Sequence, residues 1–359
     1  MNHSLLAVVP AIAALTVAST NVGAQWTVTN LHPVAPTHSA SAALGGSGTQ
    51  QVGEVTVGGW LNAAVWSSSS ASWLNLHPAG AESSSAWASS GTQQVGDVFA
   101  NNQRASLWSG TAASWVDLSP ASSTSSSAHA ISGTQQVGQA VMNGIASHAG
   151  LWTGTAASWI DLHPAGSTSS IAYGTSGSQQ VGRAIVGLVG RASLWTGSAA
   201  SWIDLHPAGS THSHALATSG ANQVGAAIIG GVNRAGLWSG TAGSWVDLSP
   251  AGALHSSAAG VADAHQAGTA FVGGRNRASF WTGTAASWED LSLSLTGSWG
   301  DTFANSVWGD ATTLYIAGWG MNLTTDREEA LLWTRPIPAP GAAALLGLGG
   351  VIAARRRRA

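Results

Sequence analysis

Short runs of small, β-branched and aromatic residues, cut by Gly, Ser and Pro clusters, recur along this chain about every 43 residues. The unit from Ser167 to Pro207 is representative. Ser169-Ser-Ile-Ala-Tyr-Gly-Thr-Ser176 reads as one strand, Gln179-Gln-Val-Gly-Arg-Ala-Ile-Val186 as a second, Arg191-Ala-Ser-Leu-Trp195 as a third and Ser201-Trp-Ile-Asp-Leu205 as a fourth. Alternation at period two between turn-forming clusters is strand chemistry, and no helical period is present. Four strands per unit of this length is the period of a propeller blade, which must stack on its neighbours to bury a core.

Two tryptophan series count the blades. The first is Trp66, Trp108, Trp152, Trp195, Trp238, Trp281 and Trp333; the second is Trp73, Trp115, Trp159, Trp202, Trp245 and Trp288, with Trp26 as its seventh member at the opposite end. The last unit stops at Leu331-Leu-Trp-Thr334, while residues 26–33 carry an orphan Asn30-Leu-His-Pro33 matching Asn75-Leu-His-Pro78. These features predict an all-β, seven-bladed β-propeller of four-stranded blades over residues 25–335. The N-terminal strand at 26–31 then pairs in the last blade and removes an exposed sheet edge. With Gly110 to Ala113 as hairpin loop, Trp108 faces Trp115, a structural aromatic pair. Trp60, Trp87, Trp299, Trp308 and Trp319 fall outside the pattern.

Composition changes the picture little. The 359 residues include 46 Gly, no Cys and no Lys, and only 8% are charged. Four of the twelve Arg sit at 355–358, so the remaining chain is acidic and a poor match for nucleic acid. Without Cys there is no disulfide framework, thiolate metal site or Cys nucleophile.

Both ends read as addresses. An apolar run at Leu5–Leu15 and a Val22-Gly-Ala24 triplet predict a signal peptide over residues 1–24, cut before Gln25. At the other end, Pro336-Ile-Pro-Ala-Pro340 precedes an apolar stretch, Gly341–Ala354, and then Arg355–Arg358. That stretch is short of the roughly 20 residues a membrane span needs, and the basic block marks a cytoplasmic side. Residues 336–359 resemble the PEP-CTERM sorting signal, with Ala339 where that family has Glu. The resemblance implies an exosortase-type partner, transient membrane insertion and release at the cell surface or outside the cell.

The blade motif itself, Gln-Val-Gly, then Ala-x-Leu-Trp-x-Gly, then Trp-x-Asp-Leu, resembles bacterial extracellular HAF-type repeats and kelch-like propeller repeats. Fold-level likeness leaves function open.

Candidate chemistry is sparse. Asp117, Asp161, Asp204, Asp247 and Asp290 share one blade position; Arg104, Arg191, Arg234 and Arg277 share another, with His148 in the third blade. In the hairpin register these are diagonal neighbours, so the reading is a structural ion pair. His32, His77, His163 and His206 occupy a repeated turn. His212-Ser-His214 has metal-ligand spacing but no evident third ligand, and no cofactor is implied. An axial site is the expected place for a ligand. Five blades share an Ala (Ala43, Ala86, Ala128, Ala172, Ala215) followed by a variable residue: Leu44, Trp87, His129, Tyr173 and Leu216. Trp87, His129 and Tyr173 are the candidate ligand contacts. The leading expectation is an exported, non-catalytic propeller binding an extracellular polysaccharide or protein. A secreted carbohydrate-active enzyme using Asp263, Asp301 or Asp310 is one alternative, and an inert scaffold is the other.

Overall fold

A computed structural model describes residues 25–35 and 37–337. The expected signal peptide, residues 1–24, and the sorting segment beyond residue 337 lie outside the described residues. Seven four-stranded antiparallel sheets form the blades. Blade 1 is His38–Ser47, Gln50–Val57, Trp60–Trp66 and Leu74–Asn75, from the axis outward. Blades 2 to 6 repeat this order over residues 83–117, 123–161, 169–204, 210–247 and 255–290. Blade 7 takes three strands from the end of the chain, Trp299–Gly309, Thr313–Asn322 and Arg327–Pro336. Its outermost strand, Thr27–Asn30, comes from the beginning.

This closing strand runs antiparallel to Arg327–Pro336, with Val28 opposite Trp333 and Asn30 opposite Leu331. The ring is therefore closed as the sequence reading required, but one tryptophan is reassigned. Val28, not Trp26, holds the place of the second series in blade 7. Trp26 lies two residues further out, edge-on to Phe280 at 5.2 Å and donating its indole N–H to Glu289 at 2.9 Å. Arg335 lies 4.3 Å over the same indole, and its Nη1 donates to both carboxylate oxygens of Glu289.

The core is seven wedges, one between each pair of successive blades. In each, small and branched apolar residues of one blade meet Ala and the fully buried first-series tryptophan of the next; the wedge around Leu31, Ala43, Ala330 and Trp66 joins blade 7 to blade 1. Six of these seven indoles have a buried N–H without an acceptor. An unpaired donor costs about 1–3 kcal/mol. Burying an indole of about 200 Å² contributes roughly 5 kcal/mol, so packing wins.

Each wedge is also latched. A buried hydroxyl on the innermost strand of one blade accepts a backbone N–H from the third strand of the blade before it. Ser84 takes Ala63, Ser126 takes Ala105, Ser170 takes Ala149, Ser213 takes Ala192, Ser256 takes Ala235 and Thr302 takes Ala278. The seventh latch, Ala330 to Ser41 at 2.9 Å, spans the ring closure.

Five of the six second-series tryptophans behave in two ways, while Trp73 instead meets the His38 ring edge-on at 4.6 Å. Where the third strand carries Ser106, Ser193 or Ser279, the indole N–H of Trp115, Trp202 or Trp288 donates to that hydroxyl at 2.9 Å. Where it carries Gly150 or Gly236, a Cβ would collide with the indole of Trp159 or Trp245. There the ring drops onto its partner, with Trp152–Trp159 at 4.7 Å and Trp238–Trp245 at 4.6 Å. The loop between the two tryptophans is a 3-10 turn, such as Ala112–Ser114, rather than a bare hairpin loop.

Candidate functional site at the propeller axis

One irregularity recurs in all seven blades. The innermost strand carries a β-bulge at one register position, so a single residue is left without a partner on the second strand: Leu44, Trp87, His129, Tyr173, Leu216, Ala259 and Asn305. A bulged residue is re-aimed by the local twist. All seven line one axial cavity of about 530 Å³. Opposite each bulge stands the glycine of the Gln-Val-Gly motif or its counterpart. At Gly53, Gly96, Gly138, Gly182, Gly225, Gly268 and Gly318 a Cβ would run into the inner-strand carbonyl that the bulge pushes across.

The three candidate contacts named from sequence thus share one wall, on blades 2, 3 and 4. Trp87 stands edge-on to His129 at 6.4 Å, and His129 is tilted against Tyr173 at 5.6 Å. Trp87 donates its indole N–H to Asp97, which also accepts from Ser127 at 3.1 Å. Burial pushes the His129 imidazole down to about 4, only partly opposed by Asp97, so this wall is neutral at physiological pH. Burial also raises the Tyr173 phenol. Asn305 donates to the Ala43 carbonyl at 3.0 Å and ties blade 7 to blade 1 at the same level. Ala259 and Asn305 were missed from sequence, because blades 6 and 7 lack the Ser-Gly turn that indexed the others.

The channel continues past Ile131, Thr175, Thr218, Val261 and Val307 into a second cavity of about 540 Å³ at one end of the axis. Asp263 and Asp310 line that cavity, but Asp301 does not. Asp301 accepts from the backbone and side-chain amides of Asn276, both at 3.0 Å. Asp310 is committed to its own turn, accepting from Thr312, Thr313 and Tyr315, and these bonds hold its carboxyl below the usual range. The three acids do not converge on one reacting centre.

The repeated Arg–Asp and His–Asp pairs serve the scaffold. Arg191–Asp204 at 2.7 Å, Arg234–Asp247 and Arg277–Asp290 at 3.0 Å, Arg104–Asp117 and His148–Asp161 are the pairs the register implied. The second carboxylate oxygen accepts the backbone N–H two residues on, as Asp204 does from His206. His212 and His214 gain no third ligand: His214 is buried beside the Arg183 guanidinium, which with burial drives its imidazole down to about 4. Among the described residues no three His, Asp or Glu side chains gather as a metal site.

Four histidines stand within hydrogen-bond distance of a serine: His32–Ser41, His77–Ser84, His163–Ser170 and His206–Ser213, at 2.7–2.9 Å. A nucleophile with an adjacent base has this spacing. These hydroxyls are at most 3% exposed and already accept the latch N–H. No scissile carbonyl reaches them.

No family model matches the sequence, and no curated protein matches it. Solved structures do share the fold. The chain is similar to a puromycin hydrolase at 12% identity and a TM-score of 0.53, covering 86% of this chain and 56% of that one. A puromycin-hydrolyzing peptidase of Mycobacterium tuberculosis matches at 15% identity and 0.54, over 86% of this chain and 56% of that one. The β-propeller domain of the Trilobed protease from Pyrococcus furiosus matches at 9% identity and 0.54, over 84% of this chain and 94% of that domain. That domain is described as having an open velcro topology, whereas here the first and last strands share a sheet. This chain thus spans little more than half the length of the two puromycin-cleaving proteins.

Identity this low establishes the fold alone. It nevertheless overturns the expectation of a non-catalytic surface propeller, which rested on architecture and composition: the same architecture belongs to proteins that hydrolyse puromycin and to a protease. The carbohydrate-enzyme alternative rested on Asp263, Asp301 and Asp310, and these do not share one centre.

Proposed function

We propose that the chain is a peptidase-type propeller whose axial cavity receives an apolar or aromatic part of a peptide or aminoacyl substrate. The observation that carries this reading is the ring of seven bulges. Close-packed blades need no extra residue at the axis. Each bulge nevertheless places one there, facing a cavity of a size that holds a small ligand. Aromatic groups on three adjacent blades form a wall that is neutral at pH 7, which suits an uncharged side chain. The named peptidases among the fold's neighbours supply the substrate class. Since the serine–histidine pairs are buried, the reading gives substrate reception to the propeller and bond cleavage to a separate hydrolase that associates with it.

Calorimetric titration of the full chain with puromycin and with short aromatic peptides tests this. Saturable binding is expected, weakened at least tenfold by Trp87→Ala and by Tyr173→Ala. Absence of binding, or binding that both variants leave untouched, ends the reading.

We further propose, from the terminal sequences, that the chain is exported and handled by exosortase-type machinery through residues 336–359. On that reading, peptide mass spectrometry of the chain recovered from outside the cytoplasm finds an N-terminal peptide starting at Gln25; a start at Met1 counts against it.

A further inference from the structure

At three joints the latch between blades continues into an imidazole. Ser84 lies 2.9 Å from the Nδ1 of His77, Ser170 2.8 Å from that of His163 and Ser213 2.7 Å from that of His206. The other ring nitrogen faces a backbone carbonyl: Nε2 of His77 meets Ala81 at 3.2 Å, and Nε2 of His163 and of His206 meet Ser167 and Ser210 at 3.1 Å. A carbonyl only accepts, so Nε2 carries the proton and Nδ1 is bare. The serine hydroxyl therefore donates to Nδ1, while its oxygen accepts the N–H of Ala63, Ala149 or Ala192. This relay is complete only with the imidazole neutral.

Protonation breaks it. An imidazolium offers N–H on both sides, and the serine hydroxyl is left without an acceptor at a site no more than 2% exposed. Blades 2 and 5 supply the control. There Ser119 and Ser249 stand in place of histidine and accept from the latch serines Ser126 and Ser256 at 2.9 Å, so the same latch is built with no imidazole. Nε2 of His32, beside the fourth such serine, Ser41, is buried without an acceptor, so the bonds there do not place its proton.

His163 is stacked on His148 at 4.0 Å, and His148 in turn holds Asp161. His206 lies near Arg191, Asp204 and His212. Burial keeps both imidazoles below their ordinary value; His148 adds repulsion at the first, Arg191 and His212 at the second, and the carbonyl bonds and the two aspartates oppose it. His77 has Asn62 and Asn75 in place of the cation and the acid. A histidine held neutral in the fold gives up its contribution as the pH falls below about 6.5, where the unfolded chain takes the proton first.

The three joints adjoin the wall of the axial cavity. Ser84, Ser170 and Ser213 lie three residues before Trp87, Tyr173 and Leu216 on the same innermost strands. We propose that His77, His163 and His206 form an acid-sensitive latch on the axial site. Neutral, they hold the strands that carry Trp87, Tyr173 and Leu216. Protonated, they loosen the joints between blades 1 and 2, 3 and 4, and 4 and 5, and the site releases its ligand. The release of a ligand rests on the function proposed above; the latch rests on its hydrogen bonds alone.

Hydrogen–deuterium exchange of the full chain, resolved at single amides by NMR, tests the latch. The amides of Ala105 and Ala235, at the histidine-free joints, correct for the intrinsic effect of pH. Relative to them, protection of Ala63, Ala149 and Ala192 is expected to fall roughly tenfold between pH 7.5 and pH 5, the worth of one buried hydroxyl without an acceptor. His77→Ser, His163→Ser and His206→Ser copy blades 2 and 5, and each should hold the ratio constant at its own joint only. Circular dichroism establishes that each variant keeps the fold. A constant ratio in the wild type, or the same fall in the variants, overturns the latch. Calorimetry with N-acetyl-Phe-Phe amide, uncharged at both pH values, reads the release. With three joints acting together, affinity is expected to drop roughly fivefold at pH 5 in the wild type and to hold in the triple variant. Binding indifferent to pH while the amides respond keeps the latch and overturns the release. A peptide that binds at neither pH removes peptide reception and release together, and the exchange ratio still decides the latch.

Discussion

At the scale of single residues, a glycine's role depends on what stands across from it. Gly138 faces the carbonyl of Ser127, displaced toward it by the His129 bulge, and a Cβ there collides with backbone that cannot swing away. Gly243 sits in a 3-10 turn with open space around it, where other blades carry alanine, as at Ala113 and Ala286. Gly138→Ala is therefore expected to cost about 3 kcal/mol by overpacking, while Gly243→Ala gains about 0.5 kcal/mol by stiffening the unfolded chain. Chemical denaturation of both variants checks the contrast. Equal midpoints for the two would mean that the bulge does not dictate the glycine opposite. The same logic applies to the charged residues: Asp204 is spent on Arg191 and on a turn.

At the scale of strands and blades, much was legible because each repeat is an independent copy of one packing problem. The unit read from Ser167 to Pro207 gave strands within about two residues of those found, Ser169–Thr175, Gln180–Val186, Val189–Trp195 and Ile203–Asp204. The fourth came out shorter because Ser201 turns back to bond Thr196 and Ser198, drawing Ala199–Ser201 into a 3-10 turn. Trp26 was misplaced because tryptophans were counted rather than aligned on Asn30-Leu-His-Pro33. Periodicity reports which face a residue takes, but not an extra residue inserted into a strand. The bulges were therefore invisible as bulges, and only their consequence, a constant Ala followed by a variable residue, could be seen. Side-chain hydroxyls that latch one blade to the next were unreadable for another reason. A serine in a strand looks like surface until its donor, some 21 residues back in sequence, is brought beside it.

At the scale of the whole ring, the seam between the two ends of the chain is the one joint that sequence proximity does not hold. It carries a device found in no other described blade. In the blades that pair Arg with Asp, the cation is on the third strand; in blade 7 that place is taken by Glu329, and the outer strand offers Asn30. Glu329 is 2% exposed and accepts from Asn30 at 2.6 Å, Thr325 at 2.7 Å, and Asn322 and Arg327 at 2.9 Å. Burial alone would raise its pKa, but these four donors outweigh burial and hold the carboxyl at about 2. The sign follows from linkage: a carboxyl whose folded pKa lies below its unfolded value of about 4.5 adds stability above that value. The gain is lost as the pH falls toward 2. His129 and His214 act in a separate window. Their folded values near 4 lie below the ordinary 6.5, so their share declines as the pH drops from 6.5 to 4. Subtracting the melting curves of Glu329→Gln from those of the wild type cancels the histidines and leaves the seam. The variant is expected to be less stable at pH 7 by about 2–4 kcal/mol, and the gap should close between pH 4.5 and 2. Limited proteolysis at pH 7 should then cut the variant first within residues 25–31, because Asn30 on that strand loses its charged acceptor. A gap that stays constant down to pH 2, or cleavage beginning in another blade, would show that closure is held by the Leu31 and Trp66 wedge and not by the carboxylate.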